Sequence, residues 1–357
     1  MIKSGLFITL YDEDTLNLYL HKGIYGFLMP PVYNKVSSRS RHYHALADYA
    51  CIREGAHVFF FLNRRIIYGG QVMGSNEIGA FCLNGCYSPL GKKAKAKLYW
   101  DESKRKKYKT TSKEGIFIVN DVGERCQPYL VRFVDKIGIK GNAILSDQLY
   151  WELGKFQYPL PSNTIRGMSF CTLTPGETEI TLLLLKNKAK YKYSGKSFET
   201  ISIKERPLPF NPKFSINNLQ ESLKKSFFIN EAHLEALVIA NPKLLPTELQ
   251  PNVDTVICRQ VPMSPFKPSQ MDRVNICYYL KPLINNGTIP NTIIELKIKR
   301  VGKSGVDQVI RYLKWLYLIL GKKASIINIY LCGPSLSRTL KQLIPSQYKH
   351  QIKLIKL

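Results

Sequence analysis

The segment TIIELKIKR, residues 292–300, constrains this chain more than any other. Its β-branched and apolar residues predict a strand. Side chains two apart on a strand share a face, so Glu295 and Lys297 stand side by side in an otherwise apolar setting. Burying such groups is costly unless they pair or bind a metal. The flanking segments read as regular elements. RVNICYYL (273–280) is a strand pattern with Asp272 at its start, and ASIINIYLCG (324–333) is another. GVDQVIRYLKWLYLILG (305–321) is a strongly apolar helix ending at Gly321, and its Gln308 and Tyr312, four apart, share a face. NEAHLEALVIANP (230–242) is a helix with Asn230 as N-cap and Pro242 beyond its end, and Glu231 and Glu235 share one side of it. The order helix, strand, strand, helix, strand predicts a small α/β unit with room for a parallel crossover.

Charge narrows the chemistry. The chain has 357 residues, 52 Lys plus Arg and 26 Asp plus Glu, a formal charge of +26. A folded chain this basic repels itself unless a polyanion compensates, and the polyanion expected is nucleic acid. Two carboxylates converging near a Lys in a basic setting suit metal-assisted attack on a phosphate. Oxygen ligands with room for waters favour Mg²⁺, with Mn²⁺ as a substitute.

The N-terminal part reads differently. LFITL, AHVFFFL, RRIIYGGQVMG, GIFIVNDV and YLVRFVDKIGI are short β-branched or aromatic runs, with Gly69–Gly70 marking a turn or bulge. Thr174, Pro175 and Glu177 announce a capped helix in LTPGETEITLLLLK. Residues 92–109 form the densest basic tract, with Lys104, Arg105, Lys106 and Lys107 beside Trp100 as a phosphate-tracking candidate. The Lys- and Pro-bearing stretch 186–225 is the linker candidate, between a unit at 1–185 and one at 226–357.

Two resemblances follow from these strings. NEAHLEALVIANPKLL, MDRVNICYY, IIELKIKR and DQVIRYL resemble the PD-(D/E)XK nuclease superfamily, nearest to NucS-type and RecB-type nuclease domains. The resemblance covers 227–320 and implies a restriction-endonuclease-like mixed sheet flanked by helices. It implies an active site of Glu235, Asp272, Glu295, Lys297 and Gln308, with Tyr312 completing a QxxxY pattern. Asp272 and Glu295 would be the Mg²⁺ ligands, and Glu231 competes with Glu235 for the helix position. HKGIYGFLMPP, REGAHVFFFL…RRIIYGGQVMG and YPLPSNTIRGMSFCTL resemble the PUA-like fold and its EVE relatives, which implies a β-rich barrel that binds a modified base. Gly55–Ala56–His57 stands where Gly–Asp is usual there. An extruded base would meet Tyr25, Phe27, Trp100 and Trp151 as aromatic walls and Ser162, Asn163 and Arg166 as polar readers.

The expectation is a two-domain α+β and α/β protein. It is read as an Mg²⁺-dependent DNA endonuclease, a reader joined to a cutter as in restriction enzymes, with modified cytosine among the features to be read. Double-stranded DNA is the expected partner, and cutting both strands calls for a homodimer. A mismatch or structure-specific repair nuclease and an inert nucleic-acid-binding protein are the alternatives. The eight Cys lack close pairing beyond Cys82 and Cys86 and are read as reduced thiols of a cytoplasmic protein. No Walker motif implies ATP, no 18-residue apolar run implies a membrane span, and His42, His44 and Cys51 lack the spacing of structural zinc.

Overall fold

The computed structural model describes residues 4–10, 12–26, 43–44, 47–73, 81–83, 129–153, 170–194, 219–228, 230–263 and 272–357. The chain starts with β1 (Gly5–Thr9), α1 (Glu13–Lys22) and β2 (Ile24–Gly26). Asp12 caps α1 by accepting the Thr15 N–H at 2.7 Å, and Gly23, at φ 63°, closes it. Next come β3 (His57–Leu62), β4 (Arg65–Met73), β5 (Phe81–Leu83), β6 (Tyr129–Val134), β7 (Asn142–Leu145), α2 (Ser146–Leu153) and β8 (Phe170–Leu173). Then follow α3 (Pro175–Asn187) and β9 (Tyr191–Lys192). The nine strands form one mixed sheet along the order β2-β6-β4-β3-β1-β8, in which only β1 and β3 run parallel. The expected barrel is not closed among the described residues: the sheet stays open.

Gly69–Gly70 lies inside β4 as a bulge, because the pairing slips between Val58↔Gly70 and Phe59↔Tyr68. A Cβ on Gly69 would come within 2.8 Å of the Phe60 ring. The capped helix expected at Thr174 is present as α3, and Thr174 and Glu177 cap each other's backbone N–H groups. The proposed linker is not structureless at its ends. β9 joins β7, and α4 (Leu219–Lys224) places Leu219 and Leu223 in the core.

The C-terminal part has α5 (Glu231–Ala240), β10 (Val256–Pro262), β11 (Arg273–Tyr279), β12 (Thr292–Leu296), α6 (Lys303–Leu320), β13 (Asn328–Gly333), α7 (Leu340–Leu343) and β14 (Ile352–Lys356). Its sheet runs β10-β11-β12-β13-β14, antiparallel as far as β12 and parallel beyond. The two faces are covered differently. α5 is buried from Ala232 to Ile239, and it shares a core with Ile276, Ile294 and Leu296. Val306, Val309, Leu313 and Leu316 of α6 pack with Cys277, Ile293, Ile329 and Leu331 on the other face.

The two sheets meet along β8 and β10. The Arg259 N–H donates to Thr172 Oγ1 at 3.3 Å, and the Cys258 thiol donates to the Leu173 carbonyl at 3.4 Å. α3 lies close to the turn before β12, where a Cβ on Gly176 would sit 2.6 Å from the Asn286 carbonyl oxygen. One cluster of buried apolar side chains holds residues of both sheets, from Leu6 to Leu357. Among the described residues no helix is long and apolar enough to cross a membrane.

Candidate active site

The site forms where β11 and β12 part. Their pairing ends at Ile276↔Ile294. One step further, the Asn275 side chain takes over the ladder and accepts the Leu296 N–H at 2.7 Å. Glu295 therefore projects from a strand that has just lost its neighbour's backbone. β12 is held on its other side by β13, with Glu295 in register with Leu331. The position is rigid and almost dry: Glu295 is 1% exposed.

Lys297 completes the pair anticipated from the strand period. Its Nζ donates to Glu295 Oε1 at 2.8 Å and to Glu231 Oε1 at 3.0 Å. Glu231 sits in the first turn of α5, which Asn230 caps by accepting the His233 N–H. α6 supplies the far side. Tyr312 accepts from Gln308 Nε2 at 2.7 Å and places its hydroxyl 3.2 Å from both Glu295 Oε2 and the Arg273 carbonyl. Gln308 thus acts through Tyr312, and Tyr312 orients Glu295.

Burial pushes the Glu295 carboxyl up to about 7, with Lys297 pulling the other way. Burial would lower the Lys297 ammonium, but Glu295 and Glu231 outweigh it and raise it overall. Burial, with Glu295 next, raises the Tyr312 hydroxyl, so it stays a protonated donor. The arrangement holds a carboxylate poised near neutrality and a second carboxylate on one fixed ammonium. It can accept a proton from water and neutralise an anion.

Two expected site residues lie elsewhere. Glu235 is one helical turn past Glu231 and points into the interior. Its Oε2 accepts from Arg259 Nε at 2.7 Å, and its Oε1 accepts from Asn275 Nδ2 at 2.9 Å and Gln260 Nε2 at 3.2 Å. Arg259, wholly buried, also donates to Asp48 Oδ1 at 2.9 Å and to the His44 carbonyl. Burial, with Arg259 behind it, pushes the His44 imidazole down to about 4, so His44 Nδ1 is a neutral acceptor for Arg259 Nη2. The helix acid that reaches Lys297 is therefore Glu231. Asp272 is clamped by Arg311 of α6, Nε to Oδ2 at 2.6 Å and Nη2 to Oδ1 at 3.0 Å, and has no bond to Glu295 or Lys297. The strand residue that lies beside Glu295 is Asn275, not Asp272.

Oxygen chemistry still fits a divalent ion. Mg²⁺ is commonly held by one or two carboxylates, with waters and substrate phosphates filling the rest. Glu295 and Glu231 bring two carboxylate oxygens to a single cationic atom. Among the described residues no group of three Asp, Glu, His or Cys is placed to hold a metal ion by itself.

The N-terminal pocket candidates divide. Tyr25 is in the core, edge-on to Tyr19 at 5.4 Å and to Phe60 at 6.5 Å between ring centroids. Trp151 falls on α2, but its side chain is not among those described. Phe27, Trp100, Lys104, Arg105, Lys106, Lys107, Ser162, Asn163 and Arg166 lie outside the described residues, as does His42. No model of a known protein family, no curated protein and no solved structure matches the chain.

Proposed function

We propose that the chain is a metal-dependent DNA endonuclease whose cutting centre is Glu295, Lys297 and Glu231. The observation that carries this reading is the Glu295–Lys297 pair, with Glu295 on the buried strand β12 and Lys297 just past its end, where the sheet opens. The resemblance of 227–320 to PD-(D/E)XK nucleases supports it, as does the charge of +26. Glu295 and Glu231 would hold Mg²⁺ or Mn²⁺, which when bound lowers the pKa of a water and offsets charge on the phosphate. Lys297 stabilises charge on the phosphate oxygens. Tyr312 and Gln308 keep Glu295 in one orientation, and α5 keeps Glu231 against Lys297.

In this reading the N-terminal sheet and the basic tract at 92–109 recognise DNA, as in a restriction enzyme built from a reader and a cutter. The PUA-like and EVE-like likeness makes a modified base the feature to test, and a dimer would cut both strands. The test is a digest with Mg²⁺ of unmodified plasmid, cytosine-methylated plasmid and hydroxymethylated phage DNA, beside Glu295→Gln. Discrete bands from one substrate class, absent in the variant, are expected. Cutting only of mismatched or branched DNA would make it a repair nuclease, and equal nicking by the variant would sink the assignment.

Asn275 favours a second reading. A neutral amide, bonded at both ends, stands beside Glu295, and Asp272 is spent on Arg311. Two carboxylates rather than three would suit a nucleic-acid-binding protein on an inert nuclease scaffold. DNA binding without metal-dependent cutting of any substrate would select it.

A further inference from the structure

A cleft lies where the two sheets meet, lined by Thr172, Thr174, Glu177, Arg259, Gln260 and Arg273, with Asp48 at its back. Its interior, about 10 Å³, has room for one water, so a larger group would sit at its open mouth. Its two arginines are used differently. Arg259 is fully committed to Asp48, Glu235 and the His44 carbonyl. Arg273 is half-buried, yet its guanidinium makes no hydrogen bond or ion pair among the described residues. Five N–H donors on a planar cation are seldom left idle in such a place.

The carboxylates nearby do not answer it. Asp48 is taken by Arg259. Glu177 caps the Thr174 N–H, and burial pushes its carboxyl up to about 8, so it is neutral at pH 7. A second feature points into the same cleft. Gln260 stands within β10 at φ 53°, a left-handed conformation that a non-glycine residue holds only when its surroundings enforce it. Its amide gives one hydrogen to Glu235 and keeps the other. Arg273 is also rooted in the candidate site, since its carbonyl accepts from the Tyr312 hydroxyl that touches Glu295.

We propose that Arg273, with Gln260 beside it, forms an anion site that takes a backbone phosphate of the DNA strand positioned at Glu295 and Lys297. The inference rests on the nucleic-acid reading above and adds a residue that grips rather than cuts. A guanidinium fork suits two oxygens of one phosphate.

The test is the salt dependence of binding, without cutting. A labelled duplex is titrated in EDTA with the full chain, as wild type, Arg273→Gln and Arg273→Lys, from 0.05 to 0.3 M salt. One lost phosphate contact lowers the slope of log K against log salt by about 0.9, which amounts to about eightfold weaker binding near 0.1 M. Arg273→Gln should show both changes, and Arg273→Lys should keep the wild-type slope. An unchanged affinity and slope in Arg273→Gln would overturn the proposal. So would an affinity lost equally in both variants at constant slope, which marks a structural role. Failure of the wild type to bind DNA would instead remove the nucleic-acid reading on which the site depends.

Discussion

Two charged clusters flank the same pair of strands, and they are built for different ends. Around Glu235 the cation is Arg259, buried to the last atom, and its donors are divided among Glu235, Asp48 and a carbonyl. Around Glu295 the cation is Lys297, which keeps 22% of its side chain exposed beside a Glu231 side chain at 36%. A guanidinium is a rigid fork that satisfies buried acceptors in fixed directions. An ammonium on a flexible stem is a movable point charge. The first cluster ties the two sheets together, and the second leaves charge within reach of solvent and ligand. Asn275 touches both, bonding Glu235 with its amide nitrogen and the Leu296 N–H, next to Glu295, with its oxygen. The contrast teaches that a buried carboxylate is a candidate for chemistry only where its partner can let go.

The sharpest way to break this comparison is to remove each cation. Arg259→Met leaves the buried Asp48 and Glu235 without their cation and should lower stability by about 3–5 kcal/mol in chemical unfolding. A loss below about 1 kcal/mol would show that the cluster does not join the sheets. Exchanging the acids comes next. Glu235→Gln should cost about 1.5–3 kcal/mol, the worth of a charged hydrogen bond, whereas Glu231→Gln should leave the melting temperature nearly unchanged and slow cutting at least tenfold. The reverse pattern would restore Glu235 to the site.

pH sharpens the comparison further. The Glu177 carboxyl, with burial as the main cause, rises from 4.5 to about 8 on folding. A raised carboxyl stabilises the fold at low pH, and that contribution disappears as pH climbs from about 5 through 8. Glu177→Gln, which cannot titrate, should therefore gain melting temperature relative to wild type as pH rises from 5 to 8. A constant difference would contradict the burial argument. The smallest effect is expected at Asp272. Its pair with Arg311 is partly exposed, so Asp272→Asn should cost under about 1 kcal/mol and leave cutting within tenfold. Abolished cutting would mean that Asp272 leaves Arg311 to serve the site.

Much of the C-terminal sheet was legible because its strands obey simple periods. The strand readings at 273–280, 292–300 and 324–333 contain β11, β12 and β13, although β12 stops at Leu296 and residues 324–326 still belong to a helical turn, and Asn230 and Gly321 end helices where caps predict. Glu295 beside Lys297 and Gln308 beside Tyr312 follow from the strand and helix repeats alone. The edge strands were not legible. IKLIK in β14 alternates like any amphipathic stretch, and β10 is interrupted by the left-handed Gln260 and by Pro262. α1 was missed because YDEDT reads as a polar turn until Asp12 is seen to cap it. Glu231 and Glu235 share a helical face, so only the third dimension tells which reaches Lys297. Arg259 carried no signal at all, since its partners lie 24 and 211 residues away.

The most direct measurement compares Mg²⁺-dependent plasmid cutting by the wild type and Lys297→Met, with DNA binding followed on the same samples. Loss of one fixed charge at the reacting centre should slow cutting by about 10²–10³-fold, with binding kept within a few-fold. Cutting at the wild-type rate by Lys297→Met would contradict the account, because the Glu295–Lys297 pair would then be no more than a buried salt bridge.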